Sequence, residues 1–251
     1  MIIISFDIGI KNLAYSLCEY TNNILNCLDW KIVNLIEIPN CCDNKNVYFI
    51  NNIYKCLKCL KFKEKFKCSL CDNKTTFFRI QDKNYCNKHG KNILVKFKVK
   101  KENTKKLNIN DIKIKIIELL ENNFKNKDIN IVLIENQPTF KNPQMKTISN
   151  VIHDYFIIRN FDKIFNINQI KFLSPSNKLK LNMDFFNEVK QIKNSTEKYK
   201  LTKKYAIDIC NKYQIQYNIS NEFKEYFKQH KKQDDLSDCF LQIIYFINFM
   251  L

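Results

Sequence analysis

Met1-Ile2-Ile3-Ile4-Ser5-Phe6-Asp7-Ile8-Gly9-Ile10-Lys11-Asn12 opens the chain, and the topology of the rest follows from it. Ile2 to Phe6 is a short apolar run, which predicts a buried strand with an acid, Asp7, at its end. A short loop containing Gly9 leads to a second strand over Ala14 to Glu19, so the two form a hairpin. Trp30 to Ile38 adds a third strand and makes an antiparallel meander.

Downstream, Asn110 is placed to cap a helix whose apolar positions Ile112, Ile116, Leu119, Leu120 and Phe124 fall at helical spacing. Ile129 to Ile134 is apolar throughout, as a central strand covered on both faces must be. A turn over Pro138 to Pro143, a helix over Met145 to Phe161 and a strand over Ile170 to Leu173 follow. Two further helices are expected, a Lys-rich amphipathic one over Thr196 to Tyr213 and an apolar one over Leu236 to Phe249. Three strands, helix, strand, helix, strand and helices is the order of an α/β RNase H-like fold, a mixed sheet flanked by helices.

Between the third strand and the first helix the texture changes. From Cys41 to Lys106 there are 18 Lys and Arg against 5 Asp and Glu, and 7 of the 11 cysteines. This predicts a basic Cys-rich zinc-type insertion over residues 39–106, interrupting an RNase H-like domain made of 1–38 and 107–251. Cys56-Leu-Lys-Cys59, Cys68-Ser-Leu-Cys71 and Cys86-Asn-Lys-His89 each carry the two-residue gap that lets both side chains reach one tetrahedral Zn²⁺. The preferred site is Cys68, Cys71, Cys86 and His89, with a hairpin across Thr76 to Tyr85 closing its loop. For Cys56 and Cys59, three readings stay open: a second zinc with Cys41 and Cys42, one zinc shared with Cys68 and Cys71, or no metal. Cys18, Cys27, Cys210 and Cys239 stand alone in predicted strands and helices and read as small buried hydrophobes.

The net charge is +17, which points to a polyanionic partner, nucleic acid first. Neither a basic amphipathic helix nor a lipidation signal favours a membrane surface, and no apolar stretch reaches spanning length. The N-terminal apolar run is too short for a signal peptide, and Cys pairs of metal type suit a reducing compartment, so the expected location is intracellular.

Four acids lie at element ends: Asp7, Glu135, and Asp235 with Asp238 three apart at the start of the last helix, where both share a face. Clustered carboxylates repel unless cations neutralise them, and hard Mg²⁺ or Mn²⁺ with oxygen ligands does so. Two such ions roughly 4 Å apart can activate water and stabilise the leaving oxygen of a phosphodiester. Asp7-Ile8-Gly9 alone also suits the first phosphate loop of actin-type ATPases, but two glycines in the chain cannot supply that class with its other Gly-rich loops.

Ser5-Phe6-Asp7-Ile8-Gly9-Ile10-Lys11-Asn12, Ile134-Glu135-Asn136-Gln137 and Lys232-Gln233-Asp234-Asp235-Leu236-Ser237-Asp238 together resemble the Holliday junction resolvases, in the poxvirus-type and mitochondrial branch of the RuvC-like group. The motifs occur in the family's order and span nearly the whole chain. The resemblance implies that Asp7, Glu135, Asp235 and Asp238 are the ligands of Mg²⁺ or Mn²⁺, with Asp235 preferred to Asp234 on the family's spacing. It also implies paired incisions across a four-way DNA junction by a homodimer, without a small-molecule cofactor. Lys178, in Ser174-Pro175-Ser176-Asn177-Lys178-Leu179, stands where the family places a basic residue near the scissile phosphate; a solvated loop lysine is the alternative. The Cys-rich insertion departs from the family. It leaves open two other readings: a related nuclease for other branched DNA or RNA–DNA substrates, or a non-catalytic zinc-containing nucleic-acid-binding protein.

Overall fold

The computed structural model describes residues 1–35, 47–50, 53–56, 61–65, 67–73, 76–80, 83–96, 108–138 and 142–251. The chain divides into two compact units, Met1–Ile36 with Asn108–Leu251, and Glu37–Leu107.

The larger unit is built on β1 (Ile2–Ile8), β2 (Asn12–Thr21) and β3 (Ile24–Asn34), two successive antiparallel hairpins. β1 and β2 run past the residues that patterning marks, because the flanking residues remain paired, whereas β3 begins at Ile24, six residues before the expected Trp30, and ends at Asn34 rather than Ile38. The β2–β3 turn sits on Asn22 and Asn23, with φ of 52° and 64°. Both residues are left-handed, the requirement of the tight hairpin turn whose twist matches its strands. In unit 2, β4 (Val47–Ile50) pairs with β5 (Ile53–Cys56), and β6 (Lys61–Lys65), β7 (Thr76–Ile80) and β8 (Lys83–Tyr85) form a three-stranded sheet followed by helix α1 (Asn87–Lys96).

Back in the larger unit, α2 (Ile109–Phe124) is capped by Asn108, whose side chain accepts from the Asn110 N–H; the cap therefore lies two residues before the one expected. Its buried stripe is Ile112, Ile116, Leu120 and Phe124. Then come β9 (Ile129–Glu135), α3 (Pro143–Phe161) and β10 (Gln169–Leu173). A 3-10 turn over Pro175–Leu181 leads to α4 (Met183–Gln191), α5 (Ser195–Gln216), α6 (Asn221–Gln229) and α7 (Gln233–Phe249). The sheet order is β10-β9-β1-β2-β3, with β1 parallel to β9 and β9 parallel to β10. This is the RNase H-like mixed sheet that the order of elements implies.

Period-two alternation splits β1 between two cores. Phe6 packs with Tyr15, Phe124 and Phe156 under α2 and α3. Ile3 faces the other way, into a cluster with Trp30, Leu133, Leu236, Phe240 and Ile244 under α7. Ser5, on that same face, donates to the Gln242 Oε1 of α7 at 3.0 Å, both fully or nearly buried. Trp30, the sole tryptophan, lies between the rings of Phe227 and Phe240 at 5.2 and 5.0 Å and donates from Nε1 to the Leu236 carbonyl at 3.0 Å. Among the described residues no helix is long and apolar enough to cross a membrane.

Trp30 therefore ties β3 to the first turn of α7. Trp30→Ala is expected to lower the unfolding free energy by about 3–5 kcal/mol, measured by urea denaturation followed by circular dichroism. A loss below about 1 kcal/mol would show that the tie is not structural.

Candidate metal centres

Asp7, on the α7 face of β1, follows Ser5 by two residues. In the parallel β1–β9 ladder Phe6 pairs with Ile134, so Asp7 and Glu135 end up side by side. α7 runs back along β1 from its N-terminus, so Asp238 lies one turn before Gln242. One helical turn advances about 6 Å over four residues, and two strand residues advance about 6.6 Å. The Ser5–Gln242 contact thus carries Asp238 onto Asp7. One carboxylate oxygen from each of Asp7, Glu135 and Asp238 lies within 4.8 Å of the others.

The electrostatics are strained. Burial, then Glu135 and Asp238, push the Asp7 carboxyl well above its usual range. Burial lifts Asp238 to about 6, with Lys178 opposing and Glu135 adding to the rise. Asp238 Oδ2 is paired with the Lys178 ammonium, while Asp238 Oδ1 is buried with no hydrogen-bond partner among the described residues. Glu135 is 8% exposed, and its Oε2 accepts from Gln137 Nε2 at 2.5 Å. Three converging carboxylates with an orphaned buried oxygen fit a hard divalent cation with oxygen ligands.

Asp235 is not brought into this cluster. It lies a further turn toward the helix start, pairs with Lys232 at 3.1 Å, and lines the same cleft as Asp234, which pairs with Lys203. The cleft has a volume of about 820 Å³, and Lys11, Lys190, Lys198, Lys203 and Lys232 also line it. Lys178 sits in the 3-10 turn with its side chain 11% exposed, at odds with a solvated loop lysine. Patterning did not single out Gln137, although it ends a quoted motif, or Lys203, which only the tertiary packing of α5 on α7 brings to Asp234.

In unit 2, one ligand atom from each of Cys68, Cys71, Cys86 and His89 lies within 4.8 Å of the rest. Cys71 Sγ is 3.7 Å from Cys86 Sγ, and His89 Nδ1 is 3.5 Å from both Cys68 Sγ and Cys86 Sγ. Tetrahedral zinc with ordinary bond lengths spaces two sulfurs by about 3.8 Å and a sulfur and a nitrogen by about 3.6 Å. The donor set and its spacing fit that ion. The Leu70 N–H donates to Cys68 Sγ at 3.5 Å. Although burial opposes it, backbone amides and His89 bring the Cys68 thiol down to about 6, toward the thiolate a metal requires. Beside the site, a Cβ on Gly90 would lie 2.2 Å from the Phe78 ring, so this helix can approach its sheet only as glycine. Phe78 and Tyr85 are 1% and 8% exposed, buried within this unit. Cys41, Cys42 and Cys59 lie outside the described residues, as does the side chain of Cys56.

The sheet order and the carboxylates that converge where β1 and β9 end define the class: an RNase H-like fold with three acids placed where they could together hold a metal ion. The chain belongs to the same family as uncharacterized protein L451 of Acanthamoeba polyphaga mimivirus, to which it is 34% identical over 323 aligned residues, covering 100% of this chain and 75% of that one. No family model matches the sequence. Among solved structures, the chain is similar to the yeast mitochondrial Holliday junction resolvase Ydc2, with 14% identity over 95% of this chain and 75% of that one and a TM-score of 0.47. It is also similar to fowlpox virus resolvase bound to Holliday junction DNA, with 16% identity over 100% of both chains and a TM-score of 0.47. Thermus thermophilus RuvC with its junction substrate matches at 8% identity over 98% of this chain and 95% of that one, with a TM-score of 0.42.

Metal-free protein should report the crowding directly. Asp7 and Asp238 hold protons more tightly when folded than at the ordinary 3.8, so stability falls as pH rises through about 4 to 6. Asp7→Asn removes one repelling charge and is expected to raise Tm in EDTA at pH 7.5 by a few degrees, on the order of 1 kcal/mol, while shrinking the rise that Mn²⁺ produces. An unchanged Tm in EDTA with an undiminished Mn²⁺ effect would contradict the centre.

Proposed function

We propose that the chain is a divalent-metal-dependent endonuclease that hydrolyses phosphodiesters at four-way DNA junctions. The observation that carries the chemistry is the convergence of Asp7, Glu135 and Asp238 beside an orphaned buried Asp238 oxygen, at the floor of a cleft with a lysine-rich wall. Junction specificity rests on the three motifs, which follow the order of the resolvases.

In this reading Asp7, Glu135 and Asp238 hold Mg²⁺ or Mn²⁺, and Asp235, paired with half-exposed Lys232, contributes to a second ion position from the rim of the cleft. Bound ions of this kind supply an activated water and charge stabilisation for the leaving oxygen. Gln137 fixes the rotamer of Glu135 through its amide hydrogen bond. Lys203 holds Asp234 aside in an ion pair that keeps this carboxyl ionised below its usual range, against the effect of burial. The lysines of the cleft meet the phosphates of the substrate strand, so binding falls with salt. Two symmetric incisions require two such centres, hence a homodimer. Cys68, Cys71, Cys86 and His89 hold a structural Zn²⁺ in a discontinuous-domain arrangement, with the Cys-rich unit inserted into the nuclease unit. Cys86→Ser should lower bound zinc, measured by elemental analysis, by about one ion per chain.

Matched-sequence four-way junction, linear duplex, fork and RNA–DNA hybrid substrates test the reading in Mg²⁺. Preferential junction cleavage is expected, with Asp7→Asn and Glu135→Gln each below about a hundredth of wild type while junction binding persists. Asp235→Asn should cost more activity than Asp234→Asn; the opposite order would transfer the role to Asp234. Equal cutting of linear duplex would remove the junction assignment. Cleavage retained in Asp7→Asn would remove the centre itself.

A further inference from the structure

Lys178 faces the acids from an unusual position. Its side chain is nearly buried, and its ammonium is paired with Asp238 Oδ2. The mounting is rigid. Ser174 caps the 3-10 turn by accepting from the Ser176 N–H, and the next residue, Leu179, is 3% exposed in the core shared with α7. The Asp238 carboxylate therefore has one oxygen on a lysine and the other buried without a hydrogen-bond partner among the described residues, while one of its oxygens lies within 4.8 Å of ligand oxygens of Asp7 and Glu135.

We propose that Lys178 is a built-in counter-ion of the acidic centre, whose ammonium must give up Asp238 to an incoming divalent ion and is thereby released toward the cleft. This rests on the reading of Asp7, Glu135 and Asp238 as a metal centre and adds a competition to it. A cation that shares a carboxylate with a divalent ion, but cannot share the space or the charge, raises the apparent dissociation constant of that ion. By linkage, the ion must loosen the lysine to the same degree. The device spares the metal-free fold the full repulsion of buried acids. It also makes a free ammonium appear beside the substrate strand only once the ion is in place.

Both halves can be read without DNA. In isothermal titration with Mn²⁺, Lys178→Met should bind at least about fivefold tighter than wild type, the lower end of ordinary coupling strengths. Its Tm in EDTA should fall, because the buried acids lose their counter-ion, and should recover in Mn²⁺. A structural lysine would instead lower Tm and leave the Mn²⁺ affinity unchanged or weaker, which would overturn the proposal. Amine labelling read by mass spectrometry tests wild type directly: the Lys178 peptide should be protected in EDTA and become several-fold more reactive in Mn²⁺. Protection unchanged by Mn²⁺ that demonstrably binds overturns the counter-ion alone. Absence of any Asp7-dependent Mn²⁺ binding to wild type overturns the metal centre along with it.

Discussion

The hydrogen bond from Ser5 to Gln242 is the contact on which the geometry of the acidic centre depends. It locks one residue of a strand to one residue of a helix running the opposite way, and everything nearer the centre is then set by two fixed advances. Two residues along β1 bring Asp7, and one turn back along α7 brings Asp238, after nearly equal distances. A polar pair buried at this depth is costly unless matched, so it also penalises any slip of α7 on the sheet. A slip of a single strand residue would put Asp7 on the face occupied by Phe6.

The start of α7 carries three acids and meets three lysines, each on a different element: Lys203 on α5 with Asp234, Lys232 beside the helix start with Asp235, and Lys178 in the 3-10 turn with Asp238. These pairings are not equivalent. Lys232 is 47% and Lys203 37% exposed, so solvent shares in the neutralisation of Asp235 and Asp234. Lys178 and Asp238 are 11% and 17% exposed and depend on one another. The three acids are alike in burial, with Asp234, Asp235 and Asp238 14%, 21% and 17% exposed, so it is the burial of the lysine that sets the third pair apart.

Placement by tertiary packing separates what could be read in the sequence from what could not. Asp7 and Glu135 were legible because each ends an apolar strand, and strand period alone assigns them to a face. Asp238 was legible as a helix position but not as the member that reaches Asp7, since the distinction from Asp235 needs the register of α7 on β1. Lys178 was visible only by resemblance. Local pattern shows a lysine in a Ser- and Pro-containing turn, whereas its burial comes from Leu179 packing into the core under α7. The tight β2–β3 turn and the early start of β3 escaped notice for a chemical reason: Asn22-Asn23 lacks the glycine by which such turns are usually recognised, yet Asn tolerates the left-handed conformation that both residues adopt.

Asn occupies three of the four left-handed positions among the described residues, and this gives the two glycines their meaning. Among the described residues, left-handed backbone is taken by Asn22, Asn23, Lys163 and Asn218, and by no glycine. Conformational freedom is therefore not what Gly9 and Gly90 provide. A Cβ on Gly9 would stand 2.6 Å from the Asn12 carbonyl oxygen, within the loop that follows Asp7, and one on Gly90 would enter the Phe78 ring immediately after His89. Each glycine thus marks a close approach beside one of the two candidate metal centres, the carboxylate cluster in one unit and the Cys3His cluster in the other. In a chain that fills its left-handed positions with other residues, the only two glycines stand where packing leaves no room for a side chain.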